Sequence, residues 1–243
     1  MGCISNLFSE TSGDLARTDP ELVQLFERFA FGDARAESGL DEKTRYLVLL
    51  PALIACQSVT VYKAMLSDAL DAGMTPVEAK EISYHAIAYV GMAKAYDYIV
   101  AANEVFAERG IELPLAGQAT TDAETRFDEG LAVQRGIFGP AIDAAYESAP
   151  ADQLHIQRFL SANCFGDYYT RGGLDVAERE LVTFALILAL GGCEPQLTGH
   201  ARGNLAVGNG RSVLVGAVTE LVPFVGYPRS LNALRCITEV TSE

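Results

Sequence analysis

A cysteine and a histidine stand seven residues apart in the second half of this chain, at Cys193 and His200. A histidine can accept or donate a proton near neutral pH, because the pKa of a free imidazole is about 6.5. A cysteine at the start of a helix can become a reactive thiolate, because the helix end favours the negative form. This spacing is close to two helical turns, so direct contact requires Cys193 to lie at the helix start. The pair predicts either acid–base chemistry or thiol chemistry.

Each of these two residues also has a purely structural interpretation. Cys193 is compatible with a small buried apolar residue, and His200 with a histidine on a helix surface or at a helix cap. Metal binding is not expected, because no second histidine or cysteine stands at ligand spacing from His200 or from His85. A nucleotide or flavin cofactor is not expected either, because no glycine-rich phosphate loop follows a predicted strand.

The elements that must position these residues occur twice in the sequence. The segments Phe31-Gly32-Asp33 and Gly39-Leu40-Asp41, followed by Arg45, return 134 residues later as Phe165-Gly166-Asp167, Gly173-Leu174-Asp175 and Arg179. Further along the chain the offset becomes 135, as in Val90-Gly91 and Val225-Gly226. One inserted residue explains the change of offset, so the sequence predicts an internal duplication.

Each copy predicts the same four helices, and strand signals are almost absent. Asp41 and Asp175 are predicted N-caps, whose carboxylates accept from exposed amides of the helix that follows. The pairs of helices are expected near residues 41–57 and 175–191, 59–72 and 196–207, 76–91 and 211–224, and 92–109 and 229–240. The predicted fold class is therefore all-α.

The stretch at 113–121 is the predicted linker, because proline, glycine and threonine are concentrated there. We therefore divide the chain into a degenerate repeat at 1–115 and a better-kept repeat at 116–243. A further helix is expected to open the second repeat at about residue 122.

Composition argues against two classes of partner. The 243 residues carry 32 acidic and 18 basic side chains, a formal net charge of −14, which repels the phosphate backbone of nucleic acids. The most apolar stretch, from Leu181 to Gly192, is about 12 residues long, whereas a membrane-spanning helix needs roughly 20. Five cysteines are scattered without a CxxC pair, as expected for reduced thiols. We expect a cytoplasmic protein with a small-molecule substrate and neither a nucleic-acid nor a membrane partner.

Four motifs in the second half follow one another in the order and spacing of a known family. They are the helix from Arg126 to Gly139, the block from Phe165 to Arg179, the block from Leu188 to Gly208 that includes His200, and the closing Phe224-Val225-Gly226-Tyr227-Pro228. Over about 115 residues this half resembles the carboxymuconolactone decarboxylase family, and residues 20–108 carry a more eroded copy. The resemblance implies a tandem duplication of an AhpD-like helical bundle.

The resemblance also implies an enzyme that removes CO2 from a small lactone bearing a carboxylate, without a cofactor. In such a reaction His200 would be the proton carrier. Arg171 or Arg202 would hold the substrate carboxylate through two parallel hydrogen bonds. Tyr169 and Tyr227 would add hydroxyl donors. These five residues form the predicted acid–base site.

This chain departs from the family pattern at several positions. Phe165 and Tyr169 replace two tryptophans, and Gln196 replaces the glutamate that usually precedes Leu-x-x-His. In the first repeat, Met65 occupies the histidine position and Glu37 an arginine position. We therefore expect the first repeat to be structural and the second to carry any chemistry, on a substrate that has drifted from the family's own.

His85 lies on the third helix of the first repeat, where related proteins often have histidine and the second repeat has Glu220. Glu81 stands one helical turn before it, so a hydrogen bond between these two side chains is expected. A structural histidine is the first interpretation. The second interpretation is a contribution to a substrate pocket at the interface between the repeats.

Two other functions are compatible with the sequence. Relatives of the alkylhydroperoxidase type carry C-x-x-C-x-x-x-H on this helix, and Cys193, Gln196 and His200 fill those places here. A peroxidase using Cys193 would need an outside reductant, because the second thiol is missing. The other alternative is a non-catalytic helical oligomer. In every case the resemblance implies a homo-oligomer, and a trimer of two-repeat chains would reproduce a six-repeat ring.

Overall fold

A computed structural model describes residues 6–8 and 15–242 of the protein. All regular elements in these residues are helical, which confirms the predicted all-α class. In the described ranges no helix is both long and apolar enough to cross a lipid bilayer. The first cysteine, Cys3, lies outside them.

The first repeat begins with short helices and continues with four longer ones. Within the described residues its α-helices are α1 (Leu15–Thr18), α2 (Pro20–Glu27), α3 (Arg35–Ser38), α4 (Glu42–Ala55), α5 (Val59–Asp71), α6 (Pro76–Val90) and α7 (Met92–Glu108). A 3-10 turn covers Asn6–Phe8, and a π-helical segment, Arg28–Ala34, joins α2 to α3.

The second repeat ends with the same four-helix plan. Its α-helices are α8 (Arg126–Phe138), α9 (Ala141–Ser148), α10 (Leu154–Phe159), α11 (Val176–Leu190), α12 (Glu194–Ala206), α13 (Arg211–Val225) and α14 (Tyr227–Thr241). A second π-helical segment, Leu160–Tyr169, follows α10 and leads toward α11. The two π segments therefore occupy corresponding places in the two repeats.

The two predicted aspartate N-caps are confirmed. Asp41 and Asp175 each accept a hydrogen bond, at 2.8 Å, from the backbone amide three residues ahead. Each carboxylate thereby satisfies an amide that has no partner within the first helical turn. Helix α8 starts at Arg126 rather than at residue 122, because the Asp122 side chain accepts from the next amides and holds them in a turn.

Helices α4 and α11 pack against each other in the centre of the molecule. Both are buried over nearly their whole length, and their apolar side chains belong to one core that includes residues of both repeats. Burial on all sides explains why neither sequence shows the one-sided apolar pattern of a surface helix.

The third helix of each repeat covers the central helix of the other repeat. Helix α6 packs on α11, and α13 packs on α4. A buried ion pair lies at each crossing, between Arg179 and Glu81 at 3.1 Å and between Arg45 and Glu220 at 2.9 Å. The two repeats are therefore interlocked, and each completes the surroundings of the other.

Candidate active site

The candidate site lies where elements of both repeats meet. Helix α6 of the first repeat packs against α11 and against the π segment Leu160–Tyr169 of the second repeat. Helix α12 packs against α11 and α8 on the adjoining side. This arrangement brings polar side chains from three helices and one π segment into contact, and His85 of α6 lies among them.

His200, on α12, is hydrogen-bonded to a carboxylate of α11. Its Nδ1 atom lies 2.9 Å from Oε2 of Glu180. The Glu180 side chain is fully buried, whereas the His200 side chain keeps 14% of its surface exposed. A carboxylate can only accept a hydrogen bond, so Nδ1 carries the proton of this contact. Nε2 makes no hydrogen bond to the described residues and is available as the second proton-carrying nitrogen.

The other carboxylate oxygen of Glu180 accepts from Tyr169. The Tyr169 hydroxyl lies 2.6 Å from Oε1 of Glu180 and 2.9 Å from the hydroxyl of Thr183. Thr183 in turn lies 2.8 Å from Nε2 of His85. A continuous path of hydrogen bonds thus runs from the partly exposed imidazole into the interior. We call the connected side chains the polar network: His200, Glu180, Tyr169, Thr183 and His85.

Burial controls the protonation of groups in and beside the polar network. It raises the pKa of Tyr169 and of Tyr89 well above the ordinary phenol value. It lowers the pKa of His85 well below that of a free imidazole. The Cys164 thiol lies 3.7 Å from the Tyr89 hydroxyl, and burial raises its pKa to about 12. Near neutral pH the two phenols are therefore protonated, His85 is uncharged and Cys164 is an unreactive thiol.

Aromatic rings surround the His200 imidazole. The rings of Phe138 and Tyr89 lie edge-on to it, with centroids 5.4 Å and 5.7 Å away. Phe138 is held there by close packing of α8 on the π segment, at Gly130 and Gly166. A Cβ atom at either glycine would collide with backbone atoms of the other element. Only glycine permits this approach, which fixes the aromatic wall beside the imidazole.

A third glycine makes room for the buried carboxylate. Gly203 lies three residues after His200 on α12. A Cβ atom at Gly203 would lie 2.5 Å from Oε2 of Glu180 and 3.0 Å from the ring of Phe138. Helix α12 therefore needs a glycine at this position in order to place the imidazole over the carboxylate.

Arg171 lies in a different part of the molecule from His200. Its guanidinium forms a two-pronged ion pair with Glu81 of α6, with a shortest contact of 2.9 Å, and Glu81 also accepts from Arg179. The expected hydrogen bond between Glu81 and His85 is therefore wrong, because the carboxylate is taken by two guanidinium groups. Arg171 lines a separate cavity that does not include His200.

Cys193 is the N-cap residue of α12, the helix start that thiol chemistry would require. Its side chain is half-buried and lines a small crevice with Gly191, Leu197 and Arg229. His200 is not among the described residues of that crevice. The cysteine and the histidine therefore lie in different surroundings, although they share a helix.

The two remaining predicted residues lie on the surface. Arg202 is exposed on α12. Tyr227 begins α14, is 62% exposed and stacks on Phe29 of the first π segment, with ring centroids 6.5 Å apart. The structure thus joins three of the predicted site residues in the polar network: His200, Tyr169 and His85.

Sequence reasoning missed Glu180, the residue that organises the polar network. Glu180 ends the charged run Glu178-Arg179-Glu180, directly before the apolar stretch of α11, and this context was itself a signal. A carboxylate on a helix that is buried all round must have a polar partner, because an unpaired buried charge is costly. Thr183 and Tyr89 gave no comparable signal, because a single hydroxyl carries no pattern along a helix.

Comparison with known proteins identifies the repeated unit. The model of the carboxymuconolactone decarboxylase family matches residues 20–104 and again residues 155–239. The two matches cover well over half of the chain, and one lies in each repeat, which confirms the duplication. The chain is also similar to the 4-carboxymuconolactone decarboxylase of Acinetobacter baylyi, at 30% identity over 118 residues, which are 48% of this chain and 87% of the relative. The protein therefore belongs to the carboxymuconolactone decarboxylase family, with two copies of the family unit in one chain.

Proposed function

We propose that the protein is a cofactor-free lyase that removes CO2 from a small lactone bearing a carboxylate, with His200 as the proton carrier. The observation that carries this proposal is the contact of 2.9 Å between His200 Nδ1 and the buried Glu180 carboxylate. A carboxylate behind an imidazole fixes its orientation and stabilises its protonated form during proton transfer. The family match and the similarity to a decarboxylase support the reaction class.

The reaction requires one proton to be delivered to carbon. When the bond between the ring carbon and the carboxylate breaks, CO2 leaves and the electron pair of that bond stays on the lactone as an enolate-type system. Nε2 of His200 gives the proton that this system takes up, while the Nδ1 proton stays in the hydrogen bond to Glu180. A carboxylate anion and one proton thereby become CO2 and an uncharged lactone, so atoms and charge balance.

Tyr169 acts in this proposal through Glu180 rather than on the substrate. It is 2% exposed, and its hydroxyl donates to Oε1 of Glu180 at 2.6 Å. Because burial holds the pKa of Tyr169 well above its ordinary value, the hydroxyl stays a donor throughout the working range of pH. Tyr169 is therefore a positioning residue. His85, two hydrogen bonds further inside, is placed to hold Thr183 and Tyr169 in turn.

Arg202 is our candidate for the cation that holds the substrate carboxylate. It is exposed on α12, the helix that carries His200, and it is one of the two arginines that the family resemblance assigns to the substrate carboxylate. A group that holds the carboxylate equally in the ground state and the transition state contributes uniform binding. Loss of such a group raises KM and leaves kcat nearly unchanged, which distinguishes Arg202 from the proton carrier.

The proposal is tested by measuring CO2 release from carboxymuconolactone and from a set of related carboxylated lactones. We expect His200→Gln to lower kcat/KM by about 100-fold to 10,000-fold, the usual contribution of a general acid or base. His155→Gln is the matched control, since His155 is exposed on α10 and packs beside Phe159. Parental turnover by His200→Gln, or no turnover of any lactone by the parent, would contradict the proposal.

A thiol-dependent peroxidase is the second candidate, because Cys193 lies at the N-terminus of α12. The thiolate would attack the peroxide oxygen, the O–O bond would break, and the resulting sulfenic acid would be returned to the thiol by an external dithiol. Peroxide consumption with dithiothreitol tests this function. We would expect Cys193→Ser to abolish it and Cys56→Ser to retain it. If the parent protein consumes no peroxide, this candidate is removed. If the parent protein neither releases CO2 from a lactone nor consumes peroxide, the non-catalytic oligomer is the function that is left.

We further propose that the chain forms a trimer. Large apolar side chains are exposed on several helices, and such surfaces are typical of protein interfaces: Leu22, Leu25, Tyr96, Tyr227 and Leu231. Light scattering is expected to give three times the 26.0 kDa mass of one chain. A monomeric mass would contradict this proposal and would leave the proposed chemistry untouched.

A further inference from the structure

A cavity of about 430 Å³ lies beside α6, and no member of the polar network lines it. Its walls come from α6, from α7 and from residues 113–118 of the connection that follows α7, while Arg171 reaches in from the second repeat. Helix α6 presents Lys80 and Tyr84 to this cavity, and His85 and Tyr89 to the polar network. The volume is within the range of pockets that bind small molecules.

Lys80 brings a buried positive charge to the cavity. The residue is only 7% exposed, and no carboxylate in the described part of the chain pairs with its ammonium group. Its contacts are the side-chain oxygen of Asn103 and the rings of Tyr84 and Phe106, at 5.9 Å and 5.3 Å from Nζ. Burial lowers the pKa of Lys80, because an ammonium group is poorly solvated there. Buried charges in proteins are normally paired, so an anion would supply the partner that this ammonium group lacks among the described residues.

The other charges around the cavity leave a positive excess. Glu81 is shared by two guanidinium groups, those of Arg171 and Arg179. Among the residues that line the cavity, the two cations Lys80 and Arg171 therefore stand against this one carboxylate, within a chain whose formal net charge is −14. The excess is local and buried, so it is little screened by salt.

The remaining walls of the cavity are apolar or aromatic. Val77, Ile99 and Leu115 line it, and the guanidinium of Arg171 lies over the Tyr84 ring at 5.4 Å. Such walls fit the flat, apolar body of a single ring better than they fit a fully hydrated ion.

We propose that this cavity is a second ligand site, which binds a small aromatic carboxylate with its anionic group against Lys80 and its ring between Tyr84 and Leu115. The site is separate from the proposed lyase site, because His200 and Glu180 do not line it. It is built by both repeats, since Lys80 and Arg171 belong to different ones. Ligand binding there therefore links α6 to the second repeat.

Binding is tested by isothermal titration calorimetry on the full chain, with benzoate as the probe. Benzamide is the uncharged control of the same shape, and inorganic phosphate is the anion without an apolar body. We expect saturable binding of benzoate and binding at least about tenfold weaker for both controls, because each lacks one of the two complementary features. Equal binding of benzamide and benzoate would overturn the proposal.

Substitutions in the cavity and beside it test whether benzoate binds there. Lys80→Met nearly keeps the length of the side chain and removes a buried charge, so we expect a folded protein that binds benzoate at least about tenfold more weakly. Ala116→Trp fills the cavity from the exposed connection, and Ala119→Trp changes the same connection outside the cavity. We expect Ala116→Trp to block binding and Ala119→Trp to retain it.

The His200→Gln variant separates this proposal from the proposed lyase function. We expect it to bind benzoate as the parent does, whether or not it has lost turnover. Loss of benzoate binding in His200→Gln would place the ligand at the polar network and overturn the second site. Parental binding by both Lys80→Met and Ala116→Trp would overturn it as well.

Discussion

The polar network of the second repeat and the aromatic ring of Tyr89 beside it are replaced, at the equivalent positions of the duplicated unit, by apolar side chains and by residues of separate ion pairs. The offsets of 134 and 135 pair the following residues: Met65 with His200, Tyr46 with Glu180, Leu49 with Thr183, Arg35 with Tyr169, Phe224 with Tyr89 and Glu220 with His85. Met65 and Leu49 are buried in the main core, and Glu220 pairs with Arg45 at 2.9 Å. The same arrangement of helices therefore holds connected hydrogen bonds in one place, and close-packed side chains with an ion pair in the other.

This difference shows that the helical bundle does not need the polar network in order to fold. Buried polar groups cost free energy unless each has a partner, so a connected set of them is a demanding way to fill a core. Apolar side chains such as Met65 fill the equivalent place in the first repeat. The network is therefore best explained by what the second repeat does, and the following predictions test that explanation.

The largest expected effect is on the free energy of unfolding, and it concerns the buried ion pair between Arg45 and Glu220. Arg45→Met leaves Glu220, which is 2% exposed, as a buried charge without a cation. We expect the free energy of unfolding to fall by about 3–5 kcal/mol. The double variant Arg45→Met/Glu220→Leu should lose far less, since both charges are removed together. Urea denaturation measures both, and an equal loss in the two variants would show that the pair is not what stabilises this crossing.

The next effect concerns the carboxylate of the polar network. Glu180→Gln keeps the shape of the side chain but removes the charge that stabilises protonated His200. We expect kcat for lactone decarboxylation to fall by about 100-fold, with a small change in KM. Its counterpart Tyr46→Phe should leave kcat unchanged. If the two variants lose activity to the same extent, the assignment of chemistry to the second repeat is incorrect.

A smaller effect is expected on the pH dependence of stability. Burial lowers the pKa of His85 in the folded protein below its value in the unfolded chain. The unfolded chain therefore binds the extra proton first, and the contribution of His85 is complete above about pH 6.5 and is lost as the pH falls below it. We expect a slope of about 1.4 kcal/mol per pH unit from this residue.

The variant His85→Gln isolates that contribution. Denaturation of parent and variant across this pH interval should show a shallower loss of stability in the variant, because glutamine does not titrate. The exposed His155 is the control, and His155→Gln should keep the slope of the parent. Identical slopes in the parent and in His85→Gln would mean that His85 titrates normally in the folded protein.

The smallest effect is expected at the thiols, and it concerns labelling rather than activity. Cys164 takes the place of Ala30 in the first repeat, is 7% exposed, and has a pKa raised to about 12. At about pH 8 its thiolate fraction is on the order of one in ten thousand. Iodoacetamide followed by peptide mass spectrometry should label the half-buried Cys193 before Cys164. Labelling of Cys164 as early as Cys193 in the native protein would show that the π segment Leu160–Tyr169 opens to solvent beside Tyr89.

The sequence was informative about the fold wherever a local signal existed. Asp41 and Asp175 marked two helix starts, because capping is decided by residues only three positions apart. The short helices α1 to α3 and α9 were not predicted, because four to eight residues give too few turns for a periodic pattern. The π segments were missed as well, because they break the period of 3.6 residues on which helix prediction depends.

The site was less accessible to sequence reasoning, because its contacts cross between the repeats. His200, Tyr169 and His85 each have their own signal in the sequence, but nothing in the sequence joins them. Arg171 was expected beside a substrate, yet its partner Glu81 is 90 residues away in the chain. Contacts of that range follow from the crossing of α6 onto α11, which no single-sequence pattern reports.

Helix α6 packs on the central helix of the second repeat, and α13 packs on that of the first. This reciprocal packing affects how the sequence of such a protein can diverge. In a symmetric dimer of identical subunits, every substitution appears at both equivalent places, so neither place can change alone. Covalent fusion removes that constraint, since equivalent positions are now encoded separately. One of them can hold a neutral histidine, His85, and the other an anionic partner for an arginine, Glu220.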